Sequence, residues 1–120
     1  MMNVRYLLLE SVHYLNYKQY DKAIEKLHQA WDGITDKSTQ ILDQIWIQSL
    51  FGRCYLEQAI KVKDIREAKD LFAQAVKYHQ EQLKLAEQLT DEQTRIQGQI
   101  NAQSWLGGCY FEQARKVRDI

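Results

Sequence analysis

The sequence repeats itself at a spacing of 55 residues. Residues 48–65 read QSLFGRCYLEQAIKVKDI and residues 103–120 read QSWLGGCYFEQARKVRDI, with 12 of the 18 positions identical. The match continues towards the N-terminus at the same spacing, where Thr35-Asp36 aligns with Thr90-Asp91. A repeat of this length corresponds to one supersecondary unit that packs against the next, so the chain is predicted to hold at least two copies of one folded unit.

Apolar residues recur every three or four positions, which indicates amphipathic helices. Asp64 and Thr90 each open a capping-box pattern, and Gly33 follows an apolar stretch as a stop signal. Proline is absent, which suits long uninterrupted helices. The pattern predicts five helices, at about 3–16, 21–32, 37–61, 65–89 and 91–117. Because the connections are short, successive helices are expected to be antiparallel.

The charge balance and the hydropathy of the chain disfavour several classes of partner. The 16 basic and 16 acidic residues are interspersed and give a net charge of +0, so neither nucleic acid nor an anionic membrane is an expected partner. The run Leu7–Leu9 is too short for a membrane span or a signal peptide. Two cysteines are too few for a disulfide framework, and the cytoplasm is the expected compartment.

Cys54 and Cys109 occupy equivalent positions of the repeat and are predicted to be buried packing residues. No CxxC or CxxH spacing accompanies them, so a metal site is not expected. A disulfide is disfavoured because equivalent positions in neighbouring helical units lie roughly 10 Å apart. His13, His28 and His79 show no metal-binding spacing and are interpreted as satisfied or solvent-facing side chains.

Gly52 and Gly107 are also equivalent, and each is interpreted as a point of close helix packing. Gly107-Gly108 lacks the strand and the Lys-Ser/Thr of a phosphate-binding loop. The chain has no GxSxG or comparable nucleophile-and-base motif. The sequence therefore predicts a non-enzymatic protein with no metal and no cofactor.

Small and large residues alternate at fixed places in each helix pair. In the first pair they are Leu7, Ser11, Tyr14, Tyr20, Ala23, Leu27 and Ala30. In the second pair they are Phe51, Gly52, Tyr55, Ala68, Phe72 and Ala75, and the third unit supplies Leu106, Gly107 and Tyr110. With this pattern the chain resembles the tetratricopeptide repeat (TPR) family, and residues 75–91 resemble its longer-repeat subfamily of adaptors and bacterial signalling proteins.

The resemblance implies an all-α fold in which antiparallel helix pairs stack as a short right-handed solenoid. The chain would form a single domain with units at about 3–34, 37–89 and 91–120, the last of them incomplete. The family also implies a concave groove that receives a peptide or a helix of a partner protein.

In the family register, the side chains proposed for partner binding in this groove are Arg5, Asn16, Trp46, Ser49, Arg53, Glu57, Asn101, Ser104, Phe111 and Glu112. The same face would include Leu8, Val12, Leu15, Leu56 and Gly108. Large apolar anchors mixed with orienting polar groups are typical of peptide and helix recognition. The leading hypothesis is therefore a scaffold or adaptor for protein–protein interaction.

Two alternatives remain open. The fifth helix lacks a following partner, so Leu106, Tyr110 and Ala114 are expected to expose an apolar face. That face indicates either a fragment of a longer array or a surface that another chain covers. If the other chain is a second copy, the protein is a self-assembling structural module. The other alternative is a peptide-sensing regulatory module.

Overall fold

The computed structural model describes residues 3–118, which form five α-helices. They are α1 (Val4–Asn16), α2 (Tyr20–Asp32), α3 (Ile41–Lys61), α4 (Ile65–Glu87) and α5 (Glu92–Arg118). The predicted all-α class and the number of helices are confirmed, and Gly33 follows the last residue of α2 as expected. Across residues 3–118, no helix is long and apolar enough to cross a membrane.

Helix α3 begins four residues later than predicted, because the preceding residues form a turn of their own. The Gln40 side chain accepts hydrogen bonds from the amides of Thr35 and Asp36, each at 3.1 Å. The Asp36 carboxylate accepts from the amide of Ser38 at 3.0 Å and from its hydroxyl at 2.6 Å. These side-chain bonds offer the backbone an alternative to the first helical turn, so α3 starts at Ile41.

Aspartates begin the last two helices. Asp64 is the N-cap of α4, as predicted, and accepts from the amide of Arg66 at 3.1 Å. Ahead of α5, Asp91 rather than Thr90 accepts from the amide and the hydroxyl of Thr94, at 2.9 and 2.6 Å. The side chain that caps this helix is therefore one residue later than predicted. Each aspartate satisfies an amide that has no partner inside the helix.

The helices pack in chain order, α1 on α2, α3 on α4 and α4 on α5, while α3 also contacts α1, α2 and α5. Short connections make each successive pair antiparallel, so α3 and α5 run in the same direction on one side of α4. The core around α1, α2 and α3 is formed by Val4, Leu7, Leu8, Leu15, Ala23, Leu27, Ala30, Ile34, Ile47, Leu50, Phe51 and Cys54. The core around α4 is formed by Leu56, Ala59, Ala68, Phe72, Ala75 and Cys109.

Gly52 and Gly107 differ in surroundings although their sequences match. A Cβ atom added to Gly52 would lie 2.4 Å from Nε2 of His79, so the missing side chain lets the imidazole of α4 approach α3. The predicted close packing is confirmed there. It is wrong for Gly107, where a Cβ atom would have no neighbour within 4 Å. The reason is that α4 covers Gly52, whereas no described helix covers the equivalent face of α5.

Candidate partner-binding groove

An open depression of about 670 Å³ lies where the N-terminal halves of α3 and α5 meet the end of α4. Its lining residues are Leu42, Ile45, Leu89, Gln93, Thr94, Ile96, Gln97, Gly98 and Asn101. The rim is apolar and accessible, since Leu42 is 58% exposed and Ile96 is 46% exposed. Exposed apolar side chains grouped around a depression are typical of a surface that contacts another molecule.

Helical spacing extends this apolar rim along both helices. Trp46 follows Leu42 by one turn on α3 and is 37% exposed, and Ile100 follows Ile96 by one turn on α5 and is 51% exposed. Residues four apart lie on one face of a helix, so the two pairs form two parallel apolar edges. We call Leu42, Trp46, Ile96 and Ile100 the apolar rim.

Gly98 allows α5 to approach the end of α4 closely beside the depression. A Cβ atom at this position would lie 3.1 Å from the Cβ of Ala86, which is fully buried on α4. That separation is tighter than ordinary van der Waals contact between such atoms. The missing side chain at Gly98 therefore permits the close approach of α5 to α4 beside the depression.

The structure places one of the predicted groove residues in the lining of this depression and a second on the apolar rim beside it. Asn101 lines it directly, and Trp46 belongs to the apolar rim. Ser49 lies almost one turn beyond Trp46 and is half-buried, and Ser104 lies almost one turn beyond Asn101 and is exposed. An amide and two hydroxyls thus follow the apolar rim along the groove, where they can orient a bound backbone.

Arg53 and Glu57 lie further along α3 and belong to a network of charged and polar groups. Oε2 of Glu57 accepts from Nε of Arg53 at 3.1 Å. Oε1 accepts from Nζ of Lys18 at 2.9 Å and from the hydroxyl of Tyr20 at 3.2 Å. Both carboxylate oxygens are therefore engaged, and the network ties the α1–α2 connection to α3.

The pKa values in this network follow from its geometry. Burial opposes ionisation of Glu57, but the hydrogen bonds from Lys18 and Arg53 outweigh it and lower the pKa of the carboxyl group. Burial and the neighbouring Glu57 charge raise the pKa of the Tyr20 phenol. At neutral pH, Glu57 is therefore an anion and Tyr20 a neutral donor.

The remaining predicted residues are spread over the two ends of the groove. Arg5 on α1 is exposed and approaches Asp43 of α3 at 3.6 Å. Asn16, the last residue of α1, is exposed. On α5, Phe111 is 64% exposed and Glu112 lies 3.9 Å from Arg115. These four residues do not line the depression.

Three apolar residues expected on the groove face are core residues instead. Leu8 and Leu15 of α1 are 0% and 1% exposed, and Leu56 of α3 is 6% exposed. They pack in the interhelical cores, because their side chains point between helices rather than into the groove. The groove therefore takes its apolar character from other positions.

Leu42, Ile96 and Ile100 supply that character, and the sequence reasoning did not include them in the groove. The available signal was the repeat, which pairs Ile41 with Ile96 and Ile45 with Ile100. Ile41 and Ile45 are half-buried, whereas their counterparts on α5 are exposed. The repeat thus marked Ile96 and Ile100, and only the packing of α5 shows that they are accessible; Leu42 aligns with Gln97 and was not marked in this way.

The two cysteines are buried, as predicted, and are 0% exposed. Burial raises the pKa of the Cys54 thiol to about 12 and that of the Cys109 thiol to about 11. Neither is a thiolate at neutral pH, which removes them as nucleophiles. Within residues 3–118, no three His, Cys, Asp or Glu side chains come together in a way that could hold a metal ion.

Burial of these thiols predicts slow thiol–disulfide exchange of the native chain with an added disulfide reagent. With an aromatic disulfide reagent at neutral pH, we expect fewer than one reactive thiol per native chain and two after denaturation, because the thiolate is both inaccessible and scarce. The absorbance of the released thiol measures both numbers. Rapid reaction of two thiols in the native protein would contradict the burial.

No family model, no curated protein and no solved structure matches this chain. The resemblance to the TPR family therefore stays a prediction.

Proposed function

We propose that this chain is a non-enzymatic protein–protein interaction module of the TPR type, which holds an apolar segment of a partner peptide or helix in the groove between α3 and α5. The apolar rim beside the 670 Å³ depression carries this proposal. Leucine, isoleucine and tryptophan side chains supply apolar contact area, and tryptophan is one of the residues enriched among positions that dominate binding energy.

Polar groups at both ends of the groove would orient the partner. Asn101 lies in the depression, and the Arg53–Glu57 ion pair lies further along the same side of α3. A peptide whose apolar side chains face the rim would form hydrogen bonds between its backbone and these polar side chains. Free, protonated thiols suit the reducing cytoplasm, which we propose as the compartment.

The test is selection of peptides from a random displayed library against the whole chain. We expect selected peptides to carry apolar anchors and to bind Trp46→Ala at least about tenfold more weakly, because loss of a central anchor costs about 2 kcal/mol or more. Leu42→Ser should weaken binding in the same direction. Isothermal titration of a selected peptide measures each affinity.

Tyr17→Ala is the matched control, because Tyr17 is 68% exposed and lies in the α1–α2 connection, away from the depression. It should leave the affinity unchanged. Circular dichroism of each variant shows whether its helices are retained. Equal affinity of the selected peptides for wild type, Trp46→Ala and Leu42→Ser would reject the groove.

A further inference from the structure

Helix α5 has one covered side and one uncovered side. Ala102 and Cys109 face α4 and the core, and both are 0% exposed. Four other residues form the side that we call the outer face of α5. They are Gln103, Gly107, Tyr110 and Ala114, and all are exposed.

The equivalent positions of α3 show what covers such a face. Gln48, Gly52 and Ala59 are buried and Tyr55 is half-buried, because α4 packs along them. Each of these four residues is identical to its counterpart on the outer face of α5, 55 residues later. The same surface chemistry is thus covered by a helix in one copy and uncovered in the other.

The buried stripe of α4 defines the helix that fits this chemistry. Its members recur at alternating spacings of four and three residues, and they are Ala68, Phe72, Ala75, His79, Gln82 and Ala86. The ring of His79 occupies the space that Gly52 leaves open. Tyr78 stacks on Phe51 and Tyr55, with ring centroids 4.7 and 5.5 Å apart.

We propose that the outer face of α5 binds an antiparallel amphipathic helix of a partner protein that carries the α4 pattern, with small residues along its stripe and an imidazole-sized ring against Gly107. Gly107 has the space for that ring, since no atom lies within 4 Å of a Cβ placed there. Tyr110 is 55% exposed and offers the stacking surface that Tyr55 offers to α4.

The positive charge at the C-terminal end of α5 indicates which charge the partner helix carries in its first turn. The last turn of α5 carries the exposed Arg115 and Arg118, whereas Lys116 of the same turn donates to the carbonyl oxygen of Ile60 on α3 at 2.8 Å. In an antiparallel pair, the first turn of the docked helix lies beside these residues. The first turn of α4 is acidic, with Glu67 following the N-cap Asp64. A partner helix with an acidic first turn therefore matches this surface in charge as well as in shape.

A second copy of the chain fits this face less well than such a partner. The α4 stripe of a second copy is buried in its own fold, with Ala75 and His79 both 0% exposed. Packing two α5 helices about Gly107 would place glycine opposite glycine. The ring-sized space would then stay empty, and an unfilled gap forfeits the contacts that hold helices together.

The test uses a labelled synthetic peptide with the sequence of residues 64–89, DIREAKDLFAQAVKYHQEQLKLAEQL. Fluorescence anisotropy should show saturable binding to the whole chain. Gly107→Leu should weaken that binding by at least about tenfold, because the leucine fills the space of the incoming ring. A peptide with Ala75→Glu should not bind, since it places a charge on the buried stripe.

Gly108→Leu is the matched control, because Gly108 is the neighbouring residue of the same helix and also has no atom within 4 Å of a Cβ. It should leave peptide binding unchanged, as should Trp46→Ala in the groove. Both glycine variants have room for the new side chain, so their helices should persist and circular dichroism should match wild type.

Three results would overturn the proposal. The first is no saturable binding of the peptide to wild type. The second is equal binding to wild type and Gly107→Leu, which would mean that the peptide displaces α4 from α3 or binds elsewhere. The third is a dimer of the chain alone in sedimentation equilibrium that Gly107→Leu dissociates, which would assign the outer face to a second copy.

Discussion

Replacing Gly52 by alanine should destabilise the chain, whereas the identical replacement at Gly107 should stabilise it. At Gly52 the new Cβ would lie 2.4 to 2.7 Å from three atoms of the His79 ring. That ring is fully buried and its other face stacks on Trp105 at 5.3 Å, so it has little room to move. Overpacking of this kind costs about 1–3 kcal/mol.

At Gly107 the methyl group meets nothing within 4 Å. Alanine in a helix is favoured over glycine by about 0.5–1 kcal/mol, and this gain applies equally at both positions. The difference between the two variants is therefore the contact with His79 alone, about 1–3 kcal/mol. Urea denaturation followed by circular dichroism measures both free energies of unfolding.

The double variant supplies the internal check. In a His79→Ala background, Gly52→Ala should cost less stability than it does in the wild type, because the clash requires the ring. If Gly52→Ala and Gly107→Ala change the free energy of unfolding by equal amounts, the close approach of α4 to α3 at Gly52 is wrong.

Part of the fold could be predicted from the sequence, and the rest depends on which helices pack together, as this pair of glycines shows. Helix number and most helix ends follow from local signals, such as the aspartate before Ile65 and the glycine after Asp32, and these were predictable. The start of α3 was not, because two competing side chains, Asp36 and Gln40, hold a turn in place of the first helical residues. The sequence pattern does not show whether such side-chain hydrogen bonds or the first helical turn is more stable.

The candidate site was predictable only in part, for a different reason. The register of the resembled family placed Trp46 and Asn101 on the groove face, and the two positions are equivalent in the repeat. Whether that face is covered depends on which helix packs there, and the surroundings of Gly52 and Gly107 differ although the two residues are equivalent. Exposure of Ile96 and Ile100 is likewise a property of packing, so sequence periodicity could not place them in the groove.

Acidification from about pH 7 to about pH 5 should destabilise the native chain through His79. Its ring is fully buried, with Gly52 on one side and Trp105 on another. Nδ1 lies 2.9 Å from Oε1 of Gln82, and within the described chain Nε2 has no hydrogen-bond partner. Burial lowers the pKa of His79 below its ordinary 6.5, although the bond to Gln82 opposes that shift. These neighbours are uncharged, so a protonated ring would be a buried and unpaired cation.

The direction of the effect follows from proton uptake. Unfolded His79 takes up a proton near pH 6.5, whereas the native ring takes it up at a lower pH, so the free energy of unfolding falls as the pH drops below 6.5. One protonating group can change this free energy by at most about 1.4 kcal/mol per pH unit. Glu57 acts in a separate window, because its lowered pKa keeps its contribution intact above 4.5. His79→Gln should therefore flatten urea denaturation midpoints between about pH 5 and about pH 7, whereas Gly107→Ala, which removes no titratable group, should retain the wild-type slope. If His79→Gln has the same slope as the wild type, His79 does not titrate as a buried group. The packing of its ring between α3 and α5 would then be wrong.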